Sequence, residues 1–340
     1  MYKLVLFVVA LPAALRAQWT YLPSGTDSEL RGLSIVSSQI VWASGARGTV
    51  TRSLNGGRTW ITDTVPGAGT LDLRAVHALN DGAGYVASAG EAEKGLAKIF
   101  GTGDGGRHWH LLYTSDQKGV FLDAIGFWDV RNGIALSDPV DGRLFVLTTN
   151  DQGKTWTRVA PDLLPPVLPG EAAFAASGSS LVVHGASDVW IGTGGGGRAR
   201  VLHSGDRGRT WSVTDTPVHA EGAASGIFSL AFLDAKRGVA VGGDYTKPHL
   251  VAQSVALTHD GGRTWSRAKS PPAAYLSGVA FSGSPRTLVA VGLAGTYISR
   301  DGGQSWTQTD TVPMNSVRFR GRTGFAVGPR GRIARADGIR

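Results

Sequence analysis

Thr258-His-Asp-Gly-Gly-Arg-Thr-Trp265 is one of six copies of an octet, and the recurrence decides the fold. The others are Ser53-Leu-Asn-Gly-Gly-Arg-Thr-Trp60, Thr102-Gly-Asp-Gly-Gly-Arg-His-Trp109, Thr149-Asn-Asp-Gln-Gly-Lys-Thr-Trp156, Ser204-Gly-Asp-Arg-Gly-Arg-Thr-Trp211 and Ser299-Arg-Asp-Gly-Gly-Gln-Ser-Trp306. Successive tryptophans lie 41 to 55 residues apart, the period of a propeller blade. Each octet has the chemistry of a tight turn. The Asp or Asn is placed to accept from backbone amides one or two residues on, the glycines supply positive φ, and Ser, Thr and Trp suit the flanking strands. The tryptophan offers a broad surface to bury against the next repeat.

The two ends of the chain complete the count. Asn315 to Asp337 is repeat-like but stops before its tryptophan, whereas Gln18-Trp19-Thr20-Tyr21 resembles the strand that should follow such a turn. Trp19 also precedes Trp60 by 41 residues. A ring in which the N-terminal strand completes the C-terminal blade accounts for both fragments and leaves no open sheet edge. The sequence therefore predicts an all-β, seven-bladed propeller of four-stranded antiparallel blades, with a single domain over residues 18–340. Composition agrees: 49 of 340 residues are glycine, 18% are charged, and segments such as Gly238-Val-Ala-Val-Gly242 alternate in strand fashion.

Before the first repeat, Lys3 is followed by the apolar run Leu4 to Leu15 and then Arg16-Ala17. The run is too short to span a bilayer and has the form of a secretory signal peptide, residues 1–17, cleaved after Ala17. Leu15 is bulkier than the small residue preferred three before the cut. Export to the periplasm or the extracellular space is expected, with no transmembrane segment. The chain has no cysteine, which excludes disulfides, thiolate metal sites and a cysteine nucleophile. Loss of Lys3 and Arg16 lowers the net charge from +8 to +6, so an acidic protein segment or an anionic glycan is the expected partner of what is expected to be a monomer.

The octets resemble those of the BNR or Asp-box repeat proteins, which include sialidases and other exported glycosidases. The whole blade, as in residues 227–243 followed by Thr258 to Trp265, in Leu276 to Trp306 and in Met314 to Gly338, resembles the photosystem II stability and assembly factor family. That resemblance covers nearly all of the chain beyond the leader and implies a propeller acting as a protein-binding or assembly scaffold without covalent chemistry. The alternative is a sialidase-like glycoside hydrolase. Against it, there is no Arg-Ile-Pro element near residue 18, no readable set of three arginines, and seven blades where sialidases have six.

Within each blade the octet turn and the first turn share one face of the ring. The loops between second and third strands, and those between blades, share the other, where rigid scaffolds carry their binding residues. Candidate binding residues on this loop face are Arg47, Asp138, Arg143, Arg198, Asp244, Tyr245, His249 and Arg330; interblade connections add Glu171, His219, Glu221 and Tyr275. Carboxylates there, or Tyr245 with a nearby base, are what a glycosidase would use. No cofactor and no metal are expected. Gly192-Thr-Gly194-Gly-Gly-Gly197 fits a dinucleotide-binding glycine pattern, but Arg198 to Ser204 reads as a strand where a helix would be required. His108 and His110 share one strand face without further ligands nearby. No stacking module for nucleic acid is visible.

Overall fold

The octets set the local geometry from which the architecture is built. In the computed structural model, which describes residues 19–339, the Ser53 hydroxyl accepts from the Gly57 amide at 2.8 Å and donates to Asn55 Oδ1 at 3.1 Å. Asn55 Oδ1 in turn accepts from the Thr59 amide at 2.9 Å. The same three bonds recur in every octet, for example Gly262 to Thr258, Thr258 to Asp260 and Thr264 to Asp260. The acidic residue thus reaches four residues along rather than the expected one or two, because the hydroxyl of the first residue takes the nearer amides. Gly57 has a φ of 86°, and a Cβ there would lie 2.7 Å from Leu22 Cδ1 of a neighbouring sheet. Turn conformation and close packing both demand glycine at that position.

Seven four-stranded antiparallel sheets follow, each meandering from an inner strand outward. The inner strands are Leu30–Ile35 in blade 1, Asp72–Ala78 in blade 2, Leu122–Phe127 in blade 3, Leu181–His184 in blade 4, Ser225–Phe232 in blade 5, Gly278–Phe281 in blade 6 and Ser316–Arg320 in blade 7. Blade 7 is completed by Thr20–Leu22, which pairs with Ile333–Asp337 in the register Thr20 to Arg335 and Leu22 to Ile333. Joining the two ends of the chain in one sheet closes the ring. Outermost strands are short, only two residues in blades 3 and 5.

The apolar core lies between blades. One cluster joins Trp42, Val50, Leu73 and Val86 of blades 1 and 2; another joins Ile134, Leu144, Val189 and Ile191 of blades 3 and 4. Octet tryptophans belong to these clusters, but they pack on the preceding blade and not on the following one. Trp60 of blade 1 meets Phe325 of blade 7 edge-on at 6.2 Å, and Trp306 of blade 6 joins Val239 and Leu257 of blade 5. Right-handed twist carries each outer strand back over its predecessor. They remain half-buried, whereas Trp42 and Trp190 on second strands are fully buried. Among the described residues helix is limited to two single 3₁₀ turns, Ala92–Lys94 and Pro161–Leu163, and no helix is long and apolar enough to cross a membrane. The leader expected over residues 1–17 lies outside the described residues.

Candidate functional site

Inner strands line the central channel, and in four blades that strand carries a β-bulge near its loop-face end. The register slips between Leu30 and Gly32, Asp72 and Ala75, Leu122 and Ala124, and Ile227 and Ser229. Each slip frees one side chain from the alternation of the pleat and re-aims it. The residues so released are Arg31, Arg74, Asp123 and Phe228, and all four line one cavity of about 350 Å³ at the loop-face mouth.

A second feature gives that cavity a floor. Blade 3 connects to blade 4 through residues 159–180, and the end of this connection enters the channel. The Arg74 and Arg31 guanidinium groups donate to the carbonyls of Ala175 and Ala176 at 3.4 and 3.3 Å. Ser177 donates to the Ser277 carbonyl at 2.7 Å, and Ser179 donates to Ser229 Oγ at 2.8 Å. Blades 1, 2, 5 and 6 therefore all grip the same short segment. Ala173 to Ala176 line the loop-face cavity and Gly178 lines the cavity on the octet face, so the segment separates the two. Its approach is anchored by Glu171, which is buried, ion-paired to Arg200, and accepts from Thr193 Oγ1 at 2.5 Å and from the Leu168 amide at 2.7 Å.

The mouth has two chemical halves. One is aromatic: Phe174 stacks on Phe228 at 4.0 Å, and Tyr275 and Tyr245 meet Phe228 edge-on at 4.8 and 6.1 Å. The other carries charge. Arg31 is paired with Glu29 and Arg74 with Asp72, both at 2.6 Å. Asp123 is buried, and its Oδ2 has no partner among the described residues. Burial pushes the Asp123 carboxyl well above the usual range, Asp138 adds to the rise, and Arg74 opposes it. Burial also raises Asp138, to about 6, against the Ala173 amide that donates to it at 3.0 Å. The two guanidinium groups consequently share the mouth with Asp123, whose charged form burial disfavours, and with Asp138, which burial raises to about 6.

Of the residues singled out from sequence, Asp138 and Tyr245 line this cavity, as does Tyr275. Asp244 sits beside it, its carboxylate engaged by the Thr246 amide and hydroxyl at 2.9 and 2.6 Å. Arg47 pairs with Asp27 and Arg198 with Asp215 on the exposed rim. Arg143 donates to the Gly142 carbonyl, Arg330 borders a shallow depression beside Tyr21 and Arg332, and His249 is an exposed loop residue. Arg31, Arg74, Asp123 and Phe228 escaped the sequence reading because they lie on strands and not on loops. A signal was nonetheless present. Leu30-Arg31-Gly32-Leu33, Leu73-Arg74-Ala75-Val76, Leu122-Asp123-Ala124-Ile125 and Ile227-Phe228-Ser229-Leu230 share one pattern, in which an unlike residue sits between an aliphatic and a small one. At Gly192 to Gly197 the backbone runs on into the strand Ala199–Ser204, which offers no helix N-terminus to a phosphate.

Comparison with known proteins agrees with this architecture. The family model for the BNR/Asp-box repeat matches residues 297–308, the sixth octet. No curated protein matches the sequence significantly. Among solved structures, YCF48 bound to D1 peptide has a TM-score of 0.68 at 17% identity, over 98% of this chain and 99% of that one. YCF48 from Cyanidioschyzon merolae has a TM-score of 0.64 at 18% identity, over 94% and 98%. U3-55K has a TM-score of 0.64 at 15% identity, over 96% and 99%. At such identities the likeness shows a shared propeller fold, and function has to be argued from the site.

Proposed function

We propose that the chain is an exported scaffold whose loop-face mouth binds an acidic protein segment, placing a carboxylate beside Arg31 and Arg74 and an apolar side chain against Phe174, Phe228 and Tyr275. The observation that carries this is the convergence of four bulged residues on one mouth, two of them arginines, next to an aromatic wall. Bulges are retained in strands where a side chain has to be re-aimed. Arginine forks and aromatic rings together are the usual anchors of a protein interface. A solved propeller of similar fold, YCF48, is bound to a D1 peptide, which supports the peptide class without naming the segment recognised here. Export rests on the leader-like run from Leu4 to Leu15.

The glycosidase alternative draws on one observation, the two carboxyl groups of Asp123 and Asp138 at the same mouth. It fits less well. Asp123 is only 1% exposed, and the Asp138 carboxylate is already engaged by the Ala173 amide, whereas both carboxyl groups of a glycosidase must reach the sugar.

Fluorescence anisotropy with labelled twelve-residue peptides, acidic-aromatic against neutral-aromatic, tests the proposal. Tighter binding of the acidic set, lost in Arg31→Ala/Arg74→Ala, is expected. Turnover of a fluorogenic glycoside panel that disappears in Asp138→Asn/Tyr245→Phe would overturn it in favour of hydrolysis.

A further inference from the structure

The opposite end of the channel holds a second cavity of about 440 Å³, roofed from the first by the segment at Gly178. Most of the side chains that line it are apolar, with Leu33, Ile35, Phe232, Phe281 and Phe319 contributed by blades 1, 5, 6 and 7, while backbone at Gly126, Gly283 and Gly321 and the Ser34 side chain add polar edges. Two nitrogen-rich side chains interrupt them, Arg318 of blade 7 and His77 of blade 2. The Arg318 guanidinium makes no hydrogen bond, ion pair or ring contact with any described residue, and no described acidic residue lines the cavity. His77 makes only a tilted ring contact with Phe127 at 5.5 Å. Both keep some access to the cavity while protein surrounds them. Burial lowers Arg318 to about 10, and burial together with Arg318 lowers His77 to about 4.

A guanidinium remains charged even in such surroundings, and a charge without a partner inside an apolar chamber is costly. A neutral imidazole adds an N–H donor without adding charge. The chamber therefore supplies one full positive charge, one neutral donor and a large apolar surface. An inorganic dianion such as sulfate would find one of its two charges uncompensated, since Arg318 is the one cation among the described lining residues. A monocarboxylate on an apolar body matches these side chains: the fork of Arg318 takes the carboxylate, His77 donates to it, and the phenylalanines cover the apolar part. The volume lies in the range of small-molecule sites.

We infer that the octet-face chamber is a binding site for an amphipathic monocarboxylate, held by Arg318 and His77 and enclosed by Phe232, Phe281 and Phe319. The carboxylate belongs either to a free organic acid or to a peptide C-terminus ending in an apolar residue. This site shares no residue with the loop-face mouth, so the two proposals stand or fall separately.

Isothermal titration of the full chain with 4-phenylbutyrate, 4-phenylbutanol and sulfate tests it. The acid is expected to bind at least about tenfold tighter than the alcohol, and Arg318→Met to remove that preference while leaving alcohol binding unchanged. The tetrapeptide Ala-Ala-Leu-Phe as free acid and as amide separates the two sources. Binding of the free-acid peptide comparable to that of phenylbutyrate points to a chain end, and binding of phenylbutyrate alone points to a free acid. Equal affinity for acid and alcohol, unchanged acid binding in Arg318→Met, or sulfate binding as tightly as the acid would each overturn the assignment. Should Arg318→Met not fold, nuclear Overhauser contacts between the ligand phenyl protons and the rings of His77 and Phe319 in the wild type decide the matter, and their absence counts against the site.

Discussion

The Trp19 indole nitrogen donates to Thr296 Oγ1 at 3.1 Å, tying the first described residue to blade 6 across 277 positions of sequence. Trp19 packs there with Ile298, Val289 and Met314, while the strand that follows it completes blade 7. Closure of the ring thus depends on one buried aromatic as well as on strand pairing. Trp19→Ala should lower unfolding free energy by about 3–5 kcal/mol through lost burial and the void left behind. Thr296→Val, which removes only the acceptor, should cost about 1 kcal/mol. Urea unfolding of the two variants measures both, and equal midpoints would show that the seam does not limit stability.

Octet hydroxyls should matter more than their small size suggests. Ser204→Ala leaves the buried Gly208 amide without its 2.8 Å acceptor and Asp206 without one of its donors. A loss of about 1–3 kcal/mol is expected. Ser204→Thr should restore it, since Ser and Thr serve interchangeably across the six octets. Thermal unfolding followed by tryptophan fluorescence compares the pair.

The octet carboxylates set an acid limit. Hydrogen bonds from the Thr264 hydroxyl and amide hold Asp260 at about 2, against 3.8 for an ordinary aspartate, and Asp151 is likewise held at about 2. Groups depressed in the folded state stabilise it above the unfolded value, and that contribution vanishes as pH falls from about 4 to about 2. Stability should drop across that window, and Asp260→Asn should flatten the drop. An identical acid profile for variant and wild type would show that the turn does not bind the carboxylate more strongly than water does.

Asp138 works in the opposite direction. Burial raises it to about 6 from 3.8, so the unfolded chain loses this proton first, and stability on its account falls as pH rises from about 4 to about 6. Asp138→Asn keeps an acceptor for the Ala173 amide and removes the titration. The variant should gain on the wild type across that interval, by at most about 3 kcal/mol. Guanidinium unfolding at pH 4.5 and pH 7 reads the difference, and a gain of equal size at both would assign the effect to something other than proton release.

Gly178 tests the floor between the two cavities. Its φ is +64°, and a Cβ there would lie 3.0 Å from Ala75 Cα and 3.2 Å from the Arg74 carbonyl. Gly178→Ala should cost about 1–3 kcal/mol through backbone strain and crowding. Hydrogen exchange at Ser179 and Leu230, whose amide donates to the Ser179 carbonyl at 2.9 Å, should accelerate. Unchanged protection there would mean that the segment is held by its serines alone.

The mouth was harder to read than the fold because the two rest on different kinds of order. Octets announce themselves since their bonds are local: Thr258, Asp260, Gly262 and Thr264 satisfy one another within seven residues, and the same local solution recurs six times. Asp138 and Tyr245 were legible as loop-face polar residues. Arg31, Arg74 and Asp123 were not, because the pattern they share, an unlike residue between an aliphatic and a small one, marks a bulge only once the strand register is known. The direction of tryptophan packing was likewise misjudged, since spacing carries no sign.

Sequence alone determined the number of blades, the turn that separates third and fourth strands, and the need for the N-terminal strand to close the ring, because each follows from a repeat and its missing half. The tertiary structure alone decided that residues 173–180 cross the channel and that four bulges aim Arg31, Arg74, Asp123 and Phe228 at one mouth. It also decided that Arg318 and His77 share a chamber at the other. Those arrangements join residues from as many as all seven blades around an axis that no single blade contains, and only the closed ring brings them within reach of one another.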